Sequence, residues 1–119
     1  MTQHLTLHTR PTVAGVVIEL AGELDHHSAA EVREALPGLA LRAGQQLVLD
    51  LGGLTFCDSS GITVLIAARN HALAAAASIA LASVPHRVSR VFRIVGLDQV
   101  FPSYPTVQEA QAAWHPTTG

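Results

Sequence analysis

The sequence predicts an α/β domain in which a mixed sheet of four to five strands carries about four packed helices. Short β-branched and apolar runs alternate along the chain with longer segments in which apolar residues recur every three to four positions. The chain has 119 residues, which suffices for one domain and not for two. Its composition, 49% hydrophobic and 13% charged, favours a chain that folds around one core.

Five short segments have the residue pattern of strands, bounded by glycine, proline or polar turns. They are expected at His4–His8, Val13–Leu20, Gln46–Leu51, Ser78–Ser83 and Val100–Phe101. Gly22 is expected to end the second strand, and Gly52-Gly53 to break the third.

Four segments have the pattern of helices. They are expected to begin after Ser28, run from Ser60 to about Ala76, run from Pro85 to Gly96, and begin after Thr106. The first and last start with the spacing of a capping box, Ser28 to Glu31 and Thr106 to Glu109. The apolar stripe expected on the second helix is Ile62, Leu65, Ile66 and Leu73. Pro37 should shorten the first helix near Leu36, and residues 114–119 should form a frayed tail beyond a domain at 4–113.

Charge, hydropathy and cysteine content limit the classes of function and the cellular compartments that fit this chain. The formal net charge is −2 and basic residues form no run, so the electrostatic footprint of a nucleic-acid binder is absent. No segment has the roughly 18 consecutive apolar residues of a membrane span. The single cysteine, Cys57, has no internal partner, which favours a reducing compartment and hence a cytoplasmic protein.

The segment Phe56–Gly61 follows a strand and opens a helix. Asp58 and Ser59 are both good N-cap residues, and Gly61 permits the close approach of another chain. Free N–H groups and the positive end of the helix dipole would face a ligand there, including a phosphate. The same residues equally suit a capped helix after a tight turn.

Four stretches together resemble one family. Gly22–His27, Val48–Leu51, Phe56–Ile62 and Val91–Leu97 are similar, in order and spacing, to the STAS domain of bacterial anti-sigma factor antagonists. The resemblance extends over nearly the whole chain, from about His4 to Ala113. It implies a single STAS domain and a regulatory module that is not an enzyme and needs no cofactor.

The resemblance also implies a mechanism. In this family the unphosphorylated antagonist binds an anti-sigma factor, which is itself a serine kinase with a histidine-kinase-like ATP site, and so frees a sigma factor. The kinase phosphorylates the serine after the aspartate, here Ser59, and a PP2C-type phosphatase resets the switch. Asp25 would lie beside Ser59, with Asp58 shaping the loop. The partner-binding residues implied are Asp25, His26, Asp58, Ser59, Ser60, Gly61 and Thr63.

Thr63 departs from the family pattern, which often has Gly-Leu-Gly where this chain has Gly61-Ile62-Thr63. The partner is therefore left open. A second hypothesis is a STAS scaffold or accessory subunit that is never switched, in a stress-sensing or lipid-transport assembly.

Two further hypotheses have less support. A metal site would need the seven histidines to converge, but His4 and His8 on a strand would stand roughly 13 Å apart. A serine hydrolase would use Ser59 as its nucleophile, yet the glycines of G-x-S-x-G are missing around it.

Overall fold

A computed structural model describes residues 5–114 and confirms the predicted α/β architecture. The strands are β1 (Thr6–Pro11), β2 (Gly15–Leu24), β3 (Gln46–Cys57), β4 (Ser78–Ala82) and β5 (Ser103–Tyr104). The helices are α1 (Ala29–Ala35), α2 (Ser59–Ala74), α3 (His86–Ile94) and α4 (Val107–Ala113). Two short 3₁₀ turns, Leu36–Gly38 and Leu97–Gln99, follow α1 and α3. His4 and the tail residues 115–119 lie outside the described residues.

The sheet is mixed, with its strands in chain order from β1 to β5. β1 pairs with β2 in antiparallel fashion, whereas β2, β3, β4 and β5 are parallel. The apolar runs of β2 and β3 are almost fully buried because helices cover the sheet, as parallel strands require. The parallel order brings the carboxyl ends of β2 and β3 to one edge.

The two central strands are longer than the sequence predicted. Gly22 does not end β2, and Gly52-Gly53 does not break β3. Instead, the register of the β2–β3 pairing shifts between Glu19 and Ala21 and again between Gly22 and Glu23. The glycines lie in this irregular part of the pairing. A Cβ on Gly53 would stand 2.6 Å from the Ala21 Cβ, which shows why glycine is needed at this close approach. The strands therefore continue to the loops that form the candidate site.

The predicted capping boxes had different outcomes. Thr106 Oγ1 accepts a hydrogen bond from the Glu109 N–H at 3.0 Å, as the spacing indicated. Ser28 precedes α1, but its hydroxyl makes no cap bond because it is turned away to the Glu23 carbonyl at 2.7 Å. Pro37 limits α1 as predicted, since the chain passes into a 3₁₀ turn at Leu36.

The buried face of α2 was predicted only in part. Leu65 is fully buried and Ile62 and Ile66 are half-buried against the core, but Leu73 is 49% exposed. Small residues take much of the inward face, which consists of Gly61, Val64, Leu65, Ala68 and Ala72. Because glycine and alanine permit close packing, α2 lies tight against the sheet, and the larger Leu73 is left outside.

The expected edge strand at Val100–Phe101 was wrong. Phe101 is instead a core residue, 2% exposed, and the edge strand β5 follows it at Ser103–Tyr104. Gly96 ends the α3 region as predicted, with a φ of 81° in the left-handed region. Beyond α4, the Trp114 indole N–H donates to the Gly44 carbonyl at 3.1 Å.

Candidate protein-interaction site

The ends of β2 and β3 carry the two loops in which the sequence placed function. Leu24 is the register partner of Cys57, and the Asp58 N–H donates to the Leu24 carbonyl at 3.2 Å. The chain then enters the Asp25 loop on one side and helix α2 on the other. Residues more than thirty positions apart in the sequence are thereby held in one surface patch.

Asp58 is the N-cap of α2, and its side chain is half-buried. Its Oδ1 accepts the Gly61 N–H at 3.1 Å, which satisfies one of the N–H groups that a helix start leaves without an intrahelical partner. Ser59 is the first helical residue and is exposed. The Thr63 hydroxyl donates to the Ser59 carbonyl at 2.9 Å, so Thr63 is anchored to the same turn. The site thus presents an exposed serine side chain at a capped helix start.

Gly61 is buried and faces the protein interior. A Cβ added there would lie 2.7 Å from the Leu24 carbonyl oxygen and 2.8 Å from the Cys57 Sγ. The close approach that the sequence suggested at Gly61 is therefore made by the chain's own β2 end. This packing sets how closely the start of α2, and with it Ser59, lies to the end of β2.

Asp25 lies in the adjoining loop, and its carboxylate is turned back into that loop. Asp25 Oδ1 accepts the His27 N–H at 3.0 Å and the Ser28 N–H at 2.9 Å, which makes an Asx turn. The bond from the Ser28 N–H is the main reason that the pKa of Asp25 is lowered from its ordinary value, and desolvation, the next largest effect, opposes it. Asp25 therefore carries a negative charge beside the start of α2.

The other predicted site residues differ in exposure. His26 and Thr63 are exposed and Ser60 is half-buried. The rings of His26 and His27 meet edge to face, with centroids 5.6 Å apart. Phe56, which was not among the predicted binding residues, is 48% exposed. Its position next to Cys57, whose side chain faces the core, could have indicated this by strand alternation.

Cys57 is directed into the core below the same loop. Desolvation, assisted by the negative charge of Asp58, raises the pKa of its thiol to about 12. The thiolate is the reactive form of cysteine, so this side chain is inert at neutral pH.

Between residues 5 and 114, no three His, Cys, Asp or Glu side chains gather closely enough to hold a metal ion. In that same part of the chain, no helix combines the length and apolar character needed to cross a bilayer.

Comparison with known proteins identifies the family. The STAS domain model matches residues 4–110. The anti-sigma-B factor antagonist of Listeria monocytogenes is 31% identical over 83 residues, which cover 70% of this chain and 73% of that protein. The unphosphorylated structure of the anti-sigma factor antagonist SpoIIAA is 27% identical, with a TM-score of 0.71 over 89% of this chain and 93% of that chain.

A second structure of SpoIIAA, a Bacillus cell fate determinant, is in the phosphorylated form. It is 26% identical, with a TM-score of 0.65 over 90% of this chain and 97% of that chain. With 107 of its 119 residues matched by the family model, the chain belongs to the STAS domain family. The Listeria monocytogenes protein and SpoIIAA are both anti-sigma factor antagonists.

Proposed function

We propose that this chain is an anti-sigma factor antagonist that is switched by phosphorylation of Ser59. Unphosphorylated, it binds an anti-sigma factor that is also a serine kinase, with a histidine-kinase-like ATPase fold, and so frees a sigma factor. The observation that carries the proposal is the exposed Ser59 at the first position of α2, held by the Asp58 cap beside the Asp25 loop.

Exposure favours Ser59 over its neighbour as the phosphoacceptor. A kinase must enclose the acceptor hydroxyl, and Ser59 is exposed whereas Ser60 is half-buried. The similar protein SpoIIAA has been solved in both unphosphorylated and phosphorylated forms, which supports a switch of this kind.

The charges around Ser59 explain how phosphate would act. A phosphoserine adds about −1.5 to −2 charges at pH 7. At a helix N-terminus this charge is favourable to the fold by about 0.3–1 kcal/mol. Asp25 and Asp58 already make this patch negative. A partner that covers the patch would hold these charges together with the phosphate at an interface, where like charges cost several kcal/mol. Phosphorylation should therefore eject the partner and leave the fold intact.

The rest of the surface would decide which partner is accepted. His26, in the Asp25 loop, and Thr63, in the first turns of α2, are exposed and suit direct contact, whereas buried Gly61 would act by positioning α2. A PP2C-type phosphatase would restore the free serine. These partners act in the cytoplasm, so the proposal places the protein there.

The test is phosphorylation by the anti-sigma factor kinase of the same organism. The purified kinase and ATP should place one phosphate on Ser59, mapped by mass spectrometry, and Ser59→Ala should abolish it while Ser60→Ala does not. Ser59→Asp should bind the kinase at least about tenfold more weakly than Ser59→Ala. Binding that is equal in the two variants would contradict the switch and leave the scaffold hypothesis.

A further inference from the structure

Helix α3 concentrates positive charge on one side of the molecule. It carries Arg87, Arg90 and Arg93, all exposed, and contains no acidic residue. Spaced by three residues, they form a row with about 4.5 Å of helix rise between neighbours. The chain as a whole has seven basic and nine acidic residues. Outside α3 there are therefore only four arginines and all nine acidic residues, so the rest of the chain is net negative. Within residues 5–114, none of the three forms an ion pair with an acidic side chain.

An apolar side chain accompanies this row. Ile94 is 83% exposed, and at 100° per residue its direction falls between those of Arg87 and Arg90. A surface concavity of about 280 Å³ is lined by Arg90, Arg93 and Ile94. We call Arg87, Arg90, Arg93 and Ile94 the basic α3 face. A prominent apolar residue surrounded by arginines has the composition of a protein-binding surface.

The basic α3 face adjoins the end of β3 that leads to Ser59. A second concavity of about 280 Å³ joins the start of α3 to β3, and it is lined by Leu54, Thr55, Pro85, Arg87 and Val88. Thr55 precedes Ser59 by four residues, a span of at most roughly 13 Å. Exposed Phe56 lies between them in the sequence. One partner of ordinary interface size can therefore reach both surfaces.

We propose that the basic α3 face is a second docking surface for the anti-sigma factor and receives an acidic segment of that partner. The segment has carboxylates spaced by about one helical turn, and the guanidinium groups of the arginines bind them. It also has an apolar side chain that packs on Ile94. The inference rests on the proposed function and adds to it a contact that does not involve Ser59. Its role is to orient the partner by charge before the Ser59 patch engages.

Charge distribution favours a protein over nucleic acid or a membrane. Three arginines on a chain whose remainder is acidic make a short positive patch, whereas a polyanion extends beyond it into the repelling surface. No Phe, Tyr or Trp side chain is exposed on α3 to stack on a base, since Phe92 is buried. For a lipid surface, Ile94 alone offers little apolar area to insert beside the charges.

The test measures the dissociation constant for the purified anti-sigma factor kinase by titration calorimetry at 50 and 300 mM NaCl. At the lower salt, Arg90→Glu/Arg93→Glu should weaken binding by about tenfold to a hundredfold. Arg90→Gln/Arg93→Gln should weaken it less and flatten the dependence on salt. Arg42→Glu is the matched control. Arg42 is also exposed, but it precedes β3 and so lies towards the end of that strand opposite to Ser59. It should change the constant by less than about twofold.

The outcomes separate the two proposals. If Ser59→Asp abolishes binding while the arginine variants match Arg42→Glu, the docking surface is overturned and the switch stands. If the wild-type chain does not bind the kinase, both are overturned. The same variants are titrated with a 20-base-pair DNA duplex and with vesicles containing phosphatidylserine. Binding to either probe that is lost in Arg90→Glu/Arg93→Glu, with kinase binding unchanged, would assign the face to that ligand instead.

Discussion

Gly61→Ala tests whether the packing beneath Ser59 positions the site. The new Cβ would meet the Leu24 carbonyl oxygen at 2.7 Å and the Cys57 Sγ and Leu24 Cγ at 2.8 Å each. These distances are shorter than real Cβ contacts allow, and the nearest atom belongs to the backbone of β2. The start of α2 would therefore have to move away from the sheet.

Two opposing effects set the magnitude. Overpacking of a well-packed core costs about 1–3 kcal/mol. Replacing glycine by alanine inside a helix returns about 0.8–1 kcal/mol of helix propensity. Because a backbone atom blocks the new Cβ, we expect the cost to lie in the upper part of its range and the net loss of unfolding free energy to be about 1–2 kcal/mol.

Urea denaturation followed by circular dichroism gives the free energy of unfolding. Gly38→Ala is the control, since a Cβ there would meet no atom within 4 Å. It should be neutral or stabilise by up to about 1 kcal/mol by restricting the unfolded chain. Gly61→Ala should also weaken kinase binding, because Ser59 moves with α2. The reasoning is refuted if Gly61→Ala and Gly38→Ala have the same stability.

Three further predictions concern the start of α2, the Asp25 loop and the end of β3. Asp58→Ala removes the cap on the Gly61 N–H and should cost about 1 kcal/mol in urea denaturation, with unchanged stability arguing against the cap. The lowered pKa of Asp25 means that its turn stabilises the fold at neutral pH and loses this effect as pH falls below the ordinary value of 3.8. In NMR titration, Ser28→Ala should raise that pKa, since the Ser28 hydroxyl also lowers it; an unchanged value would exclude this contribution. Cys57, with its pKa raised to about 12, should resist iodoacetamide at pH 8 until urea unfolds the chain, and equal rates before and after unfolding would contradict its burial.

Features that depend on neighbouring residues were predicted well. The Thr106 cap, the end of α3 at Gly96 and the shortening of α1 at Pro37 all follow from backbone chemistry within a few residues. The start of α2 was predicted to within one residue: Asp58 and Ser59 were both candidate caps before a helix from Ser60, and the structure uses Asp58, whose cap bond joins residues three apart.

Features that depend on distant residues were predicted poorly. Ser28 has the spacing of a cap, but its hydroxyl bonds to the Glu23 carbonyl because the end of β2 lies within reach. Leu73 fits a helical stripe and yet is half-exposed, because the small residues Ala68 and Ala72 let another face of α2 approach the sheet. A helical period identifies a face only when one side is clearly more apolar.

The sequence by itself determined the α/β alternation and, to within one residue, the start of α2, since periodicity and capping are local. Only the tertiary structure decided that β2 and β3 pass through Gly22 and Gly52-Gly53. The reason is that a glycine ends or continues a strand according to the partner strand, which is more than thirty residues away. That pairing brings the end of β2, and with it the Asp25 loop, against the Asp58 cap of α2, and so the candidate site is a product of the sheet.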